Sequence, residues 1–143
     1  MSNKKAFTLI ELLVVVAIIA MLAAISVVAL NNARARARDS KRLADIKQIQ
    51  TALELYYLDQ NGYPATASVA SGSAISSGGT VYMAQVPTAP QPSDCWSTED
   101  KYTYTAQGAA GAYTSYTLQY CLGASSGGIA AGLRTATPAG ISN

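Results

Sequence analysis

The polarity of the chain changes abruptly along its length. After a short leader containing Lys4 and Lys5, every residue from 12 to 30 is apolar except Ser26. At ~1.5 Å per residue such a run makes a helix of about 28 Å, just long enough to cross a hydrocarbon core. The pattern then changes period. Ile46, Ile49, Leu53 and the Tyr56/Tyr57 pair recur at spacings of three and four, which places them on one helical stripe. No Pro or Gly falls between Phe7 and Gln60, and Asn31-Asn32 is the only weak interruption. The stop is Asn61-Gly62-Tyr63-Pro64, with Gly as the breaker and Pro close behind. The spacing therefore predicts one helix over about 7–60, roughly 80 Å long. Its first half is apolar all round and its second half is amphipathic.

Past the helix the pattern turns to short strands and loops. Residues 65–80 are almost all Ala, Ser, Thr and Gly and read as a surface loop. Val81-Tyr82-Met83 reads as a short strand or turn, and the Pro-rich stretch 86–92 as an extended connector. Residues 101–107 set Tyr102 and Tyr104 against Thr103 and Thr105, and residues 113–121 set Tyr116, Leu118 and Tyr120 on one face. With 108–111 as a four-residue turn, this is a β-hairpin. The Gly/Ala/Ser-rich tail from 122 onward lies over the sheet or stays loose. The fold class is α+β: a long helix whose C-terminal half packs on a small antiparallel sheet. The segments are 1–6, a leader; 7–30, a membrane or bundle-core half-helix; 31–62, the amphipathic half; and 63–143, a β-rich head.

Composition narrows the chemistry. The chain has no His, so it lacks the commonest general base and metal ligand. There is no nucleophile motif or phosphate loop, and the carboxylates are scattered, which argues against an enzyme. A net charge of +2 is too small to imply nucleic-acid binding by itself. Arg34, Arg38, Lys41 and Arg42 share a helical face with Asp45, which reads as a solvated face with local pairs such as Lys41–Asp45. Contact with acidic residues of a neighbour (Asp39, Glu54 or Asp59) is the sharper reading. Without interleaved aromatics the patch is weak evidence for DNA. Asp94, Glu99 and Asp100 lack the spacing of a calcium loop and read as a solvated acidic turn. Cys95 and Cys121 are the only cysteines. In an exported chain they make one structural disulfide.

Glu11 is the informative residue of the apolar block. A carboxylate at the edge of such a span costs roughly 2 to 3.5 kcal/mol at full depth and less near the interface. It either snorkels to the headgroups or makes a polar contact when the helix packs with copies of itself. A plain signal peptide has a shorter apolar core and no use for the acid.

The stretch Lys4-Lys5-Ala6-Phe7-Thr8-Leu9-Ile10-Glu11-Leu12-Leu13 resembles the processing site of bacterial type IV prepilins and type II secretion pseudopilins. The resemblance implies cleavage of the Ala6–Phe7 bond by a prepilin peptidase, followed by methylation of the new amine on Phe7. Ala6 stands where the family usually has Gly. Glu11 then matches the family's acidic fifth residue, which neutralises the Phe7 amine of a neighbouring subunit. The segment 40–64, with Leu-Tyr-x-Leu-Asp-x-Asn-Gly-Tyr-Pro, is also similar to the major pseudopilin and related pilins. The resemblance thus implies a homopolymer built through the N-terminal helix, held in the membrane before assembly and served by a pilus or secretion machinery. Such a subunit is non-enzymatic. Some pseudopilins bind Ca²⁺ in a head loop, which makes Ca²⁺ the one cofactor the resemblance brings. Major pilin, secretion pseudopilin, and minor pilin for adhesion or DNA uptake all share these features.

One count opposes this topology. Two lysines precede the span and five basic residues closely follow it, so the positive-inside rule alone would leave the head in the cytoplasm. The processing motif, the cysteines and the low-charge Ser/Thr/Tyr head argue for export.

Overall fold

The computed structural model describes residues 7–92 and 101–142. The chain divides into two compact units between Arg34 and Ala35, and one helix runs through the division. This helix, α1, covers Leu9–Gln60. It begins two residues later than the pattern predicted because Thr8 takes the cap position. It ends as predicted, but by a different residue. Asn61 adopts the left-handed conformation (φ 55°) and its N–H still donates to the Tyr57 carbonyl at 2.8 Å. Asn tolerates this conformation better than most side chains.

In the first unit every large apolar side chain from Leu9 to Leu30 is exposed. Within it, the Ser26 hydroxyl donates to the Leu22 carbonyl at 2.8 Å. The apolar block thus presents no free hydroxyl to its surroundings.

The second unit has a conventional core. Ile46, Ile49, Ala52 and Leu53 of α1 are buried, as the period predicts. They face Tyr104, Tyr116, Leu118, Tyr120 and Leu122 of a four-stranded antiparallel sheet. Its strands are β3 (Thr103–Ala109), β4 (Ala112–Leu122), β5 (Gly132–Thr137) and β6 (Gly140–Ser142), in that order across the sheet. The alternation of Tyr and Thr correctly marks the inner and outer faces of β3 and β4.

Three expectations are corrected. Residues 65–80 are not one loop: a 3₁₀ turn, Thr66–Ser68, precedes β1 (Ile75–Ser77), which pairs with β2 (Thr80–Met83). Gly78 and Gly79 both have positive φ, which suits the two-residue turn that the strand twist favours, and Ile75 anchors the hairpin in the core. The turn between β3 and β4 is two residues, Ala110-Gly111, since pairing continues to Ala109 and Ala112. The register shifts between Gln107 and Gly108, and that bulge absorbs the residues read as turn. Finally, the tail is neither loose nor a cover. β5 pairs with β4 from Leu118↔Ala136 to Leu122↔Gly132, and β6 pairs with β5. These strands are short, with no run of large apolar residues, so no alternation announced them.

The solvated basic face is also corrected. Arg42, Asp39 and Asp45 are buried. Arg42 Nη1 lies 2.8 Å from Asp39 Oδ1, and its Nη2 donates to the Pro90 carbonyl at 3.1 Å. Asp39 also accepts the N–H groups of Gly123 (3.0 Å) and Ala124 (2.8 Å) just past β4. Asp45 accepts the Tyr102 hydroxyl at 2.8 Å rather than serving a solvated pair with Lys41. A helical carboxylate–guanidinium pair thus joins the connector and the end of β4 to the helix. Asp39 is thereby removed from the acids open to a neighbour.

Candidate functional site

The helix start carries the candidate site. Thr8 precedes the first helical residue, and its backbone N–H and hydroxyl both donate to Glu11 Oε2, at 2.9 and 2.7 Å. The Glu11 N–H returns to Thr8 Oγ1 at 3.3 Å. This reciprocal pattern is a capping box, in which two orphan groups of the helix terminus satisfy each other. Its signature, Thr-x-x-Glu before an apolar run, was present in the sequence. Treating the acid only as an intermolecular partner hides it.

The geometry leaves Glu11 accessible. Both donors go to Oε2, so Oε1 is open to a further donor. Phe7 is 80% exposed, and with Ile10, Val14 and Val15 it forms an apolar groove beside the carboxylate. The helix N-terminus favours the ionised form of this acid, and its open oxygen can accept one further donor. Among the described residues no second titratable group is hydrogen-bonded to it.

The other predicted residues are placed as follows. Ala6 lies outside the described residues. Cys121 is buried on β4 and disulfide-bonded; Cys95, its expected partner, lies outside the described residues. So do Asp94, Glu99 and Asp100. Among the described residues no group of three His, Cys, Asp or Glu side chains is placed to hold a metal ion.

The described residues of the head contribute a tyrosine cluster. Tyr57, Tyr63, Tyr116 and Tyr104 form a chain of ring contacts with centroids 4.7, 4.8 and 5.7 Å apart. The Tyr63 hydroxyl donates to Glu54 Oε1 at 2.9 Å, and the Tyr104 hydroxyl to the Pro64 carbonyl at 2.8 Å. Burial, then the Glu54 contact, raises the Tyr63 pKa well above the usual phenol range. Burial pushes Tyr116 up to about 12. The cluster locks the helix end to the sheet.

Comparison with known proteins gives two family matches along the chain. Residues 1–27 match the prokaryotic N-terminal methylation motif, and residues 29–124 match the type II secretion system (T2SS), protein G family. The type IV wide pilus major component PilA4 of Thermus thermophilus is 40% identical over 61% of this chain and 85% of its own length. The type II secretion system core protein G of Pseudomonas aeruginosa is 31% identical over 81% of this chain and 83% of its own. The type IV major fimbrial protein FimA of Dichelobacter nodosus is 47% identical over 41% of this chain, but the match spans only 37% of FimA. No solved structure gives a significant match.

Proposed function

The chain belongs to the type II secretion system protein G family of pilins and pseudopilins, and from that premise we propose how its N-terminus works. It is a structural filament subunit. In our reading it is anchored in the membrane by residues 7–30 before assembly, is cleaved by a prepilin peptidase between Ala6 and Phe7, and polymerises through α1. The described helix has the length and composition to cross a membrane. The observation that carries the reading is the carboxylate of Glu11, half satisfied by Thr8 and set in an exposed apolar groove.

The capping box gives Glu11 two successive roles. In the lone subunit Thr8 satisfies Oε2 and keeps the acid tolerable near lipid. In the filament Oε1 receives the amine that cleavage creates on Phe7 of a neighbour. A subunit entering out of register would leave both charges unpaired in a low dielectric, which selects register more strongly than it adds stability. The test is Glu11→Leu. The variant should remain in the membrane fraction and yield few filaments. Filaments at the wild-type level would overturn the role of Glu11.

The filament is proposed to be a type IV pilus-like fibre, supported by the long match to PilA4. The match of residues 29–124 favours a second reading, a secretion pseudopilin. Deleting the gene separates them. Loss of long surface fibres supports the pilus, and loss of protein secretion with fibres intact supports the pseudopilin. Mass spectrometry of the purified subunit should show methylated Phe7 as its first residue.

A further inference from the structure

The burial of Asp39 and Asp45 changes the charge that α1 shows to its surroundings. Just after the apolar run the helix carries Arg34, Arg36, Lys41 and Lys47, all exposed. The only acids in the same stretch are Asp39 and Asp45. Both point into the head and are occupied there, by Arg42 with two backbone N–H groups and by Tyr102. The exposed charge from residue 31 to residue 53 is therefore of one sign. Arg34 and Arg36 stand four and six residues past Leu30, where the membrane-compatible run ends.

We propose that Arg34, Arg36 and Lys41 form a basic collar that binds the phosphate headgroups of anionic phospholipids and holds the unassembled subunit at a fixed depth. The inference rests on membrane anchoring by residues 7–30. Three features of the collar fit lipid better than protein or DNA. It is continuous in sequence with the apolar run, so anchoring already brings Arg34 and Arg36 to the headgroup layer, with Lys41 on the solvent side of them. Its side chains are long and end in guanidinium or ammonium groups that can reach a phosphate from beside the bilayer. It has no aromatic or large apolar residue among its cations to supply a specific protein or base contact. Juxtamembrane basic residues are attracted to anionic headgroups, and the attraction fades within a Debye length and with salt. The same collar explains the excess of basic residues beyond the span: it serves the exported side as a lipid contact.

The test uses the full chain in vesicles of 70% phosphatidylcholine and 30% phosphatidylglycerol. The chain is extracted in mild detergent, and its co-purifying lipids are quantified by mass spectrometry. In about 0.1 M NaCl the wild-type chain should retain phosphatidylglycerol at about threefold or more over its bulk share, falling toward the bulk share in about 0.5 M NaCl. The triple variant R34Q/R36Q/K41Q should retain lipids at the bulk ratio in both. K101Q, which removes an exposed cation from the head, should behave as wild type. Equal phosphatidylglycerol enrichment in wild type and triple variant, or an enrichment unaffected by salt, would overturn the collar. Loss of filaments in the triple variant with unchanged lipid enrichment would also overturn it, and would assign the cations to a neighbouring subunit instead. Failure of the chain to enter vesicles at all would defeat the anchoring premise, and alkaline extraction reads that separately.

Discussion

The guanidinium of Arg42 lies 2.8 Å from the carboxylate of Asp39, with both side chains about 1% exposed. Two residues that look like part of a solvated, charged helix thus make the polar joint between α1 and the rest of the head. Asp39 reaches the end of β4 through two backbone N–H groups, and Arg42 reaches the connector through Pro90.

Removing one partner from that joint should be costly. Arg42→Met leaves a buried carboxylate without its cation and is expected to destabilise the head by about 3 to 5 kcal/mol. Adding Asp39→Asn should restore part of the loss, because the buried charge goes too. Lys41→Met, one residue away but exposed, should stay within about 0.5 kcal/mol of wild type. Urea unfolding of the detergent-solubilised chain, followed by near-UV circular dichroism, measures all three.

The capping box makes a separate claim about the helix start. Thr8→Ala should cost about 0.5 to 2 kcal/mol of local helix stability, and Thr8→Ser much less. Amide exchange in micelles should quicken at residues 9–12 in the alanine variant and stay unchanged near Ile46. Uniform exchange along α1 in that variant would refute the cap.

Gly108 should be irreplaceable where Gly111 is not. At Gly108, with φ +130°, an added Cβ would meet Ala112 O at 3.0 Å and Thr114 N at 3.1 Å. These are backbone atoms, which cannot rotate aside. Gly111 also has positive φ, but a Cβ there meets nothing within 4 Å. Gly108→Ala should cost about 1 to 3 kcal/mol or more, and Gly111→Ala about 1 kcal/mol. Their melting temperatures give the order.

The tyrosines set an alkaline limit. The folded-state pKa values of Tyr63, Tyr104, Tyr116 and Tyr120 are raised, by burial first of all. Folding therefore holds their protons more tightly than the unfolded chain, whose phenols titrate near ~10. Their stabilising effect is complete below that value and is lost as pH climbs toward about 12, the value for Tyr116. Tyrosinate absorbance from these four rings should appear late and together with unfolding. A single smooth titration near ~10 would contradict the packing.

The disulfide and the topology can be read on the whole protein. A Cys95–Cys121 bridge should stabilise by about 3 to 4 kcal/mol on the chain-entropy model. Cys121→Ser should lower the midpoint accordingly, and intact mass should rise by two hydrogens on reduction of wild type. A reporter fused after Asn143 should be active only on the exported side of the membrane.

The sequence by itself determined the long helix, its split into apolar and amphipathic halves, the stop near Asn61, and the inward faces of β3 and β4. Each of these is a local periodicity or a turn preference, so it is written in residues a few positions apart. It also determined the filament reading, because the segment around Phe7 and Glu11 is short and contiguous. Only the tertiary structure decided the rest. β5 and β6 have little alternation and exist because β4 offers them an edge. Residues 75–83 form a hairpin because Ile75 finds the core. The fate of the charges was least legible. Asp39, Lys41 and Arg42 are near neighbours on one helix, yet Asp39 and Arg42 are buried and Lys41 is exposed. That choice depends on Pro90, Gly123 and Ala124, which lie far along the chain and meet the helix only once it has folded.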